Sequence, residues 1–181
     1  MNARPLNTSS ATLLVIAKEP VPGRVKPRLT PPFTPQEAAA LAEAALTDTL
    51  HTMLQVPAGR RVLVIDGTPG PWLPPGFEVV PQACGDLDER IAAAFELCDS
   101  GPALLVGMDT PQLTPGLPAD VGRDGHDAWF GPAADGGFWG LGSTEAITCV
   151  RASSPPASSM TGRPTGRARP RRGTREWLPS R

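Results

Sequence analysis

Several short apolar segments, each followed by a glycine, a proline or a charged loop, constrain the fold of this chain more than any other feature. Each has the length and the β-branched content of a buried strand rather than a helix. Four are clear and the fifth is weaker: residues 12–17, 61–66, 77–81, 103–107 and 127–131. Because these segments read as nearly continuous apolar runs and do not alternate regularly with polar residues, they are typical of a sheet that is covered on both faces.

Two helical patterns separate these strands. Residues 35–54 are rich in Ala, Leu and Glu, with Thr34 as a plausible N-cap and Pro35 at the favoured first position. Residues 86–98 carry apolar side chains at the spacing of one helix face, and Asp86 can cap their start. Strands that alternate with helices predict an α/β class with a Rossmann-like, mainly parallel sheet and helices on both faces.

The chain divides unequally in composition. Residues 1–143 hold 16 acids and 9 bases, a net charge of −7, whereas residues 144–181 hold 2 acids and 8 arginines, a net charge of +6. The second part is also rich in Pro, Ser and Gly and lacks apolar periodicity. We therefore expect a flexible N-terminus over residues 1–11, one domain over residues 12–143, and a disordered tail over residues 144–181.

Composition excludes several classes of protein. No apolar run approaches the roughly 18 residues of a membrane span, and the N-terminus does not resemble a secretion signal. The three cysteines, Cys84, Cys98 and Cys149, are scattered and lack metal-ligand spacing, so we expect free thiols. A cytoplasmic location is the resulting expectation.

The loop after the first strand concentrates positive charge around a Pro-Gly turn. It contains Lys18, Arg24, Lys26 and Arg28, and Gly23 would let backbone amides approach an anion. In parallel sheets ligands bind at the carboxyl ends of the strands, which is where this loop lies. We interpret the loop as a phosphate-binding site; the alternative is a solvated basic surface loop.

Two aspartates and one glutamine are further candidates. Asp109 follows the strand at 103–107, where a carboxylate could hold Mg²⁺ or Mn²⁺, although a loop-capping aspartate is an equal alternative. Asp135 precedes two glycines that would let backbone pass close to a substrate, but an Asp-Gly hairpin turn explains the same pattern. Gln82 and the charged run at 85–90 could recognise a base or ribose, or could simply begin a helix.

Four motifs in this order resemble one bacterial family, the glycosyltransferase-like proteins of the DUF2064 type. The motifs are AKEPVPGRVKPRL, PQACGDLDER, GMDTPQL and GPAADGGFWGLG, and the resemblance covers about residues 13–142. The family is distantly similar to nucleotidyltransferases that make guanylylated cofactor precursors. The resemblance implies a GT-A, nucleotide-diphospho-sugar transferase-like fold, a divalent metal, and a nucleotide-sugar or nucleoside triphosphate as substrate.

The resemblance also implies roles for individual residues. Ala17, Lys18, Gly23, Lys26 and Arg28 match the phosphate-binding loop, Asp109 matches the metal-binding aspartate, and Asp135 matches the acid of the DGG element, which would orient the acceptor or act as its base. Gln82 is added to the nucleotide-binding set. The chain departs from the family pattern at Pro27, Asp88 and Met108, none of which removes a charge that the site needs.

The tail departs further. A helix and an Asp-containing strand should follow Gly142 in this family, and we expect instead a frameshifted or truncated C-terminus, or a basic tail that binds nucleic acid. We predict a metal-dependent glycosyltransferase-like protein with a nucleotide-diphospho-sugar donor, for which nucleic acid is not the expected partner. The alternatives are a nucleotidyltransferase that releases pyrophosphate and an inactive remnant or binding protein.

Overall fold

The computed structural model describes residues 11–99, 101–116, 126–134 and 136–144, together with the backbone of residues 174–176. Within these residues there are seven strands, two α-helices and a short 3-10 turn at Pro27–Leu29. The strands are β1 (Thr12–Lys18), β2 (Arg60–Asp66), β3 (Glu78–Pro81), β4 (Ala103–Gly107), β5 (Ala128–Pro132), β6 (Phe138–Ser143) and β7 (Thr174–Glu176). The helices are α1 (Pro35–Gln55) and α2 (Leu87–Phe95).

The strands form one sheet in the order β3-β2-β1-β4-β6-β5-β7. β1 pairs in parallel with β2 and β4, and β2 pairs in parallel with β3. β6 runs antiparallel to both of its neighbours, β4 and β5, and β7 pairs in parallel with β5. The predicted α/β class with a mainly parallel sheet is therefore confirmed.

The side chains of β1 alternate between two hydrophobic clusters, one on each face of the sheet. Leu13, Val15 and Ala17 pack in the cluster that contains Leu46 and Leu50 of α1. On the other face, Leu14 packs in the cluster that contains Ala94 and Phe95 of α2. Successive strand residues point to opposite faces, so an uninterrupted apolar strand is what a sheet covered by helices on both sides requires.

β6 was not predicted, because the sequence FWGLGS has two glycines and reads as a loop. Its backbone is nevertheless paired on both sides, by β4 and by β5. Gly131 of β5 leaves the space that the indole of Trp139 fills, since a Cβ at this glycine would collide with that ring. Pairing and packing thus override the weak strand preference of glycine.

The structure differs from the prediction at the end of α2 and in the C-terminal segment. α2 ends at Phe95, before the predicted Cys98, because the backbone N–H groups of Leu97 and Cys98 donate to carbonyls three residues back and form a tight turn. Thr174–Glu176, within the segment predicted to be disordered, forms β7. The remainder of residues 145–181 lies outside the described residues, so the predicted limits of the domain stay a prediction.

The structure describes two of the three cysteines that are expected to be free thiols. Cys84 is exposed, Cys98 is buried, and neither is in a disulfide, whereas Cys149 lies outside the described residues. Burial raises the pKa of the Cys98 thiol. Neither of the two described α-helices combines the length and the apolar character that crossing a bilayer requires.

A reciprocal pair of hydrogen bonds defines the start of α1, and Thr34 is its N-cap, as predicted. The Thr34 hydroxyl accepts from the backbone N–H of Glu37 at 3.2 Å, and the backbone N–H of Thr34 donates to the Glu37 carboxylate at 2.9 Å. This is a capping box, which satisfies N–H groups that lack partners within the helix. Hydrogen bonds from Thr34 hold the pKa of Glu37 below its ordinary value.

This cap predicts a pH dependence of stability. A carboxyl whose pKa is lowered by folding stabilises the protein above its unfolded pKa, near 4.5, and that contribution is lost as the pH falls through the folded value. Wild type should therefore exceed Glu37→Gln in free energy of unfolding at pH 7, and the difference should shrink toward pH 3. Urea unfolding across this range measures it, with Glu43→Gln, elsewhere on α1, as the control for lost charge. A difference that does not change with pH would contradict the assignment.

Candidate functional site

One cavity of about 520 Å³ lies at the carboxyl ends of β1 and β4, a size ordinary for a small-molecule site. It gathers residues from the loop after β1, from the loop after β4, from α1, and from the segment that runs from β3 into α2. The lining comprises Ile16, Ala17, Lys18, Arg24, Val25, Lys26, Pro27, Arg28, Leu29, Ala42, Gln82, Leu87, Arg90, Met108 and Asp109.

The parallel register explains why these distant segments meet. Gly107, the last residue of β4, pairs with Ile16, two residues before the end of β1, so both strands end at the same edge of the sheet and their following loops lie close together. The backbone N–H of Lys18 lies 3.3 Å from the Sδ atom of Met108, which joins the two loops directly. Residues 90 positions apart in sequence are neighbours here because the strands are parallel.

The basic loop is turned and then anchored by its own sequence. Gly23 has a φ of +81°, which a residue with a side chain rarely adopts, and it turns the chain back. Val25 is buried against Ala39 and Ala42 of α1 and so fixes the loop to the body of the protein. This anchor places the cations on either side of Val25 at the cavity.

Lys26 has a left-handed backbone, with φ 46° and ψ 50°, immediately before the 3-10 turn. For a residue with a Cβ this conformation costs about 1–2 kcal/mol. The conformation presents the Lys26 side chain to Asp109, and the Nζ atom lies 2.7 Å from Oδ2 of that carboxylate. Strained residues of this kind cluster at functional sites, where the surrounding structure holds them in place.

The position of Asp109 is fixed by hydrogen bonds between the loop that contains it and helix α1. Thr49 is fully buried on α1, and its hydroxyl oxygen accepts from the backbone N–H of Thr110 at 3.2 Å. The same hydroxyl donates to the carbonyl of Ala45 at 2.8 Å, with the carbonyl of Met108 3.4 Å away. Thr49 therefore fixes the loop on both sides of Asp109, a role that its sequence position in a helix did not reveal.

Gln82 lines the cavity, but its side chain is engaged by the protein. Its Nε2 atom donates to the carbonyl of Ala17 at 3.2 Å and lies 3.4 Å from that of Val64, while Oε1 accepts from Nη1 of Arg90 at 2.8 Å. Gln82 thus links the ends of β1 and β2 to α2. Contact between Gln82 and a nucleotide stays a prediction, beside this positioning role.

Arg90 was not singled out as a site residue, although it ends the charged run that follows Gln82. Its Nε atom donates to the carbonyl of Asp86, one helical turn earlier, and Gln82 fixes the guanidinium from the other side. Spacing could have indicated it, because a cation one turn after a helix cap faces the same side as the cap. Arg90 brings a further positive charge to the cavity wall.

The predicted site residues therefore divide into three groups. Ala17, Lys18, Lys26, Arg28 and Asp109 share the cavity with Gln82, whereas Gly23 shapes the loop without lining it. Asp135 lies outside the described residues. Its neighbours at 133 and 137 are joined by a backbone hydrogen bond of 2.9 Å between β5 and β6, an antiparallel connection compatible with the hairpin alternative.

Comparison with known proteins gives a family match. A family model described as an uncharacterized protein conserved in bacteria, DUF2064, matches residues 34–155, about two thirds of the chain. This match confirms the family resemblance predicted from the motifs. The search of curated proteins gave no match.

Two solved structures are similar to this one. The first is the crystal structure of a "putative nucleotide-diphospho-sugar transferase" from Desulfovibrio desulfuricans G20, with 26% identity and a TM-score of 0.66. The match covers 74% of this chain, which spans 63% of the length of that protein. The second, a homolog of Mycobacterium tuberculosis rv0371c from Mycobacterium sp. strain JC1, has 15% identity and a TM-score of 0.47, covering 76% of this chain and 71% of the other.

The anchoring role of Thr49 generates a test within one helix. Thr49→Val leaves the buried N–H of Thr110 without its acceptor, which should cost about 1–3 kcal/mol in the free energy of unfolding. Thr47→Val is the matched control, because the Thr47 hydroxyl donates to a carbonyl four residues back, as Thr49 does, but has no hydrogen bond to the loop of Asp109 among the described residues. The control should change stability by less than about 0.5 kcal/mol.

Urea unfolding measures both variants, and hydrogen exchange at residues 107–110 reports the loop itself. Faster exchange in Thr49→Val alone is the expected result. Equal losses in the two variants would contradict the role of Thr49 in holding the loop.

Proposed function

Since the chain belongs to the DUF2064 family of bacterial proteins, we propose that it is a metal-dependent, glycosyltransferase-like protein that uses a nucleotide-diphospho-sugar donor. The observation that carries the proposal is the meeting of the basic loop after β1 with Asp109 after β4 in one cavity. The name of the similar protein from Desulfovibrio desulfuricans G20 supports the same class of donor.

The charges of the cavity suit a diphosphate. Its described lining includes the cations Lys18, Arg24, Lys26, Arg28 and Arg90, and a single acid, Asp109. Arginine can hold phosphate through two parallel hydrogen bonds, and lysine contributes a mobile point charge. A ligand with two linked phosphates would therefore be stabilised by cations from both sides of the cavity.

The described residues could bind a metal ion only together with the phosphates of a bound substrate. Within residues 11–99, 101–116, 126–134 and 136–144, no group of three His, Cys, Asp or Glu side chains could hold a metal ion. Mg²⁺ commonly uses one or two carboxylates together with substrate phosphates and water, so Asp109 can serve as its protein ligand. A bound Mg²⁺ or Mn²⁺ would neutralise charge on the departing diphosphate.

In this reaction an acceptor oxygen forms a bond to the anomeric carbon of the donor, and the bond from that carbon to the diphosphate breaks. Lys18 and Arg28 would stabilise the negative charge that develops on the leaving diphosphate. Asp135 would take the proton of the acceptor or orient it, a role that rests on the DGG motif. The apolar side chains of Leu29, Leu87 and Met108 line the same cavity and would contact the donor.

Donor binding tests the proposal directly. Wild type should show a rise in Tm with Mn²⁺ and one nucleotide-diphospho-sugar among the UDP, GDP and dTDP series, corresponding to about 2.7 kcal/mol at a ligand concentration of 100 Kd. Asp109→Asn should lose this rise because it removes the carboxylate charge. Asp48→Asn, the same change on an exposed residue of α1, should keep it.

Other outcomes would redirect the proposal. A rise that does not need Mn²⁺ would remove the metal from it. A response to nucleoside triphosphates alone, with pyrophosphate released on addition of a sugar phosphate, would replace glycosyl transfer by nucleotidyl transfer. No response in wild type to either class of ligand would overturn it.

A further inference from the structure

The contact between Lys26 and Asp109 conflicts with simple metal binding. The Lys26 ammonium lies 2.7 Å from Oδ2 of Asp109, the acid to which the proposed function assigns the metal. An ammonium ion and a divalent cation cannot occupy the same position at one carboxylate oxygen. A metal that enters at Oδ2 therefore has to displace Lys26, and a metal at the other oxygen of the carboxylate would be repelled by the nearby ammonium charge.

The two side chains can exchange partners while both backbones stay in place. Val25 is buried against α1 on one side of Lys26, and the 3-10 turn begins on the other. The loop of Asp109 is bound through Thr110 to Thr49. The side chains themselves are accessible, with exposed fractions of 26% for Lys26 and 53% for Asp109.

The flexible four-carbon stem of lysine allows its ammonium to move without the backbone. The neighbouring cations differ from Lys26 in this respect. Arg24 lies 3.7 Å from Asp66, on the other side of the loop, and within the described residues neither Lys18 nor Arg28 lies within ion-pair distance of a carboxylate. Of the described cavity cations, Lys26 is therefore the one that forms an ion pair with Asp109.

We infer that Lys26 is the exchangeable counter-ion of Asp109 and couples metal binding to diphosphate binding. Without ligand, Lys26 neutralises the carboxylate and competes with a divalent cation for it. When a diphosphate enters, the ammonium transfers to a phosphate oxygen and Asp109 becomes available to the metal. The inference deepens the proposed function and rests on it.

Thermodynamic linkage makes this coupling reciprocal. If the diphosphate raises the affinity for metal by a given factor, the metal raises the affinity for diphosphate by the same factor. The site would then fill with both ligands or with neither, and free metal or free phosphate would occupy it poorly. A general effect of positive charge would predict no such dependence on one particular lysine.

The experiment measures Mn²⁺ binding by the electron paramagnetic resonance signal of free Mn²⁺, without and with inorganic pyrophosphate. Removing the competitor in Lys26→Met should tighten the binding of Mn²⁺ alone by about tenfold, within the usual range of coupling between sites. Lys18→Met is the matched control for the binding of Mn²⁺ alone, without pyrophosphate, since it removes the same charge from the same cavity and Lys18 has no ion pair with Asp109 among the described residues. Its effect should be about twofold or less because solvent and salt screen the more distant charge.

Pyrophosphate provides the second arm, after correction for the Mn²⁺–pyrophosphate complex in protein-free solution. It should tighten Mn²⁺ binding to wild type, and this gain should fall in Lys26→Met. Lys26→Arg, which keeps a cation at the site, should not reproduce the tightening of Mn²⁺ binding. Thermal melts of each variant establish that it is folded before binding is compared.

The outcomes distinguish a failure of this inference from a failure of the proposed function on which it rests. Equal tightening of Mn²⁺ binding in Lys26→Met and Lys18→Met, or no tightening in Lys26→Met, would overturn the counter-ion role. If wild type still binds Mn²⁺ with pyrophosphate in that case, the proposed metal-dependent donor site would remain. Failure of wild type and of every variant to bind Mn²⁺ in either condition would overturn both the inference and the metal dependence of the proposed function.

Discussion

The parallel pairing of β1 with β2 and β4 is the constraint on which the rest of the structure depends. Because β1 is apolar on both faces, it is stable only where α1 and α2 cover it, and this requirement places it at the centre of the sheet. Parallel strands deliver their loops to one edge. The packing of the core and the location of the cavity are therefore consequences of the same seven residues.

Much of the fold could be predicted because local signals agree with the tertiary structure. The apolar runs gave five of the described strands, and Thr34 with Pro35 gave the start of the long helix. β6 could not be predicted in this way, since its glycines have little intrinsic preference for a strand and its stability comes from two neighbours and from Trp139. Long-range pairing of this kind leaves almost no local trace in a sequence.

For the site, the sequence indicated which residues line the cavity, but it did not indicate which of them contact each other. Lys26 and Asp109 were both candidates, yet nothing in their spacing indicates that they pair, because the pairing depends on the register of β1 and β4 and on a left-handed backbone at Lys26. Thr49 was invisible for the opposite reason. A threonine inside an Ala-rich helix reads as a weak helix former, and only the packing of α1 shows that its hydroxyl holds the neighbouring loop.

The balance of charge around the cavity explains why a pairing between Lys26 and Asp109 is useful to such a site. A lone carboxylate among five cations would attract whichever is most mobile, and lysine is more mobile than the guanidinium of Arg90, which Gln82 and its own helix hold. Apart from Arg24, which lies near Asp66, the other described cavity cations have no carboxylate within ion-pair distance and can meet an incoming anion. A diphosphate then competes for the same ammonium with more charge than the single carboxylate has, so the anion can release the acid that the proposed metal needs. The fixed cations would select the ligand, while the mobile one would respond to its arrival.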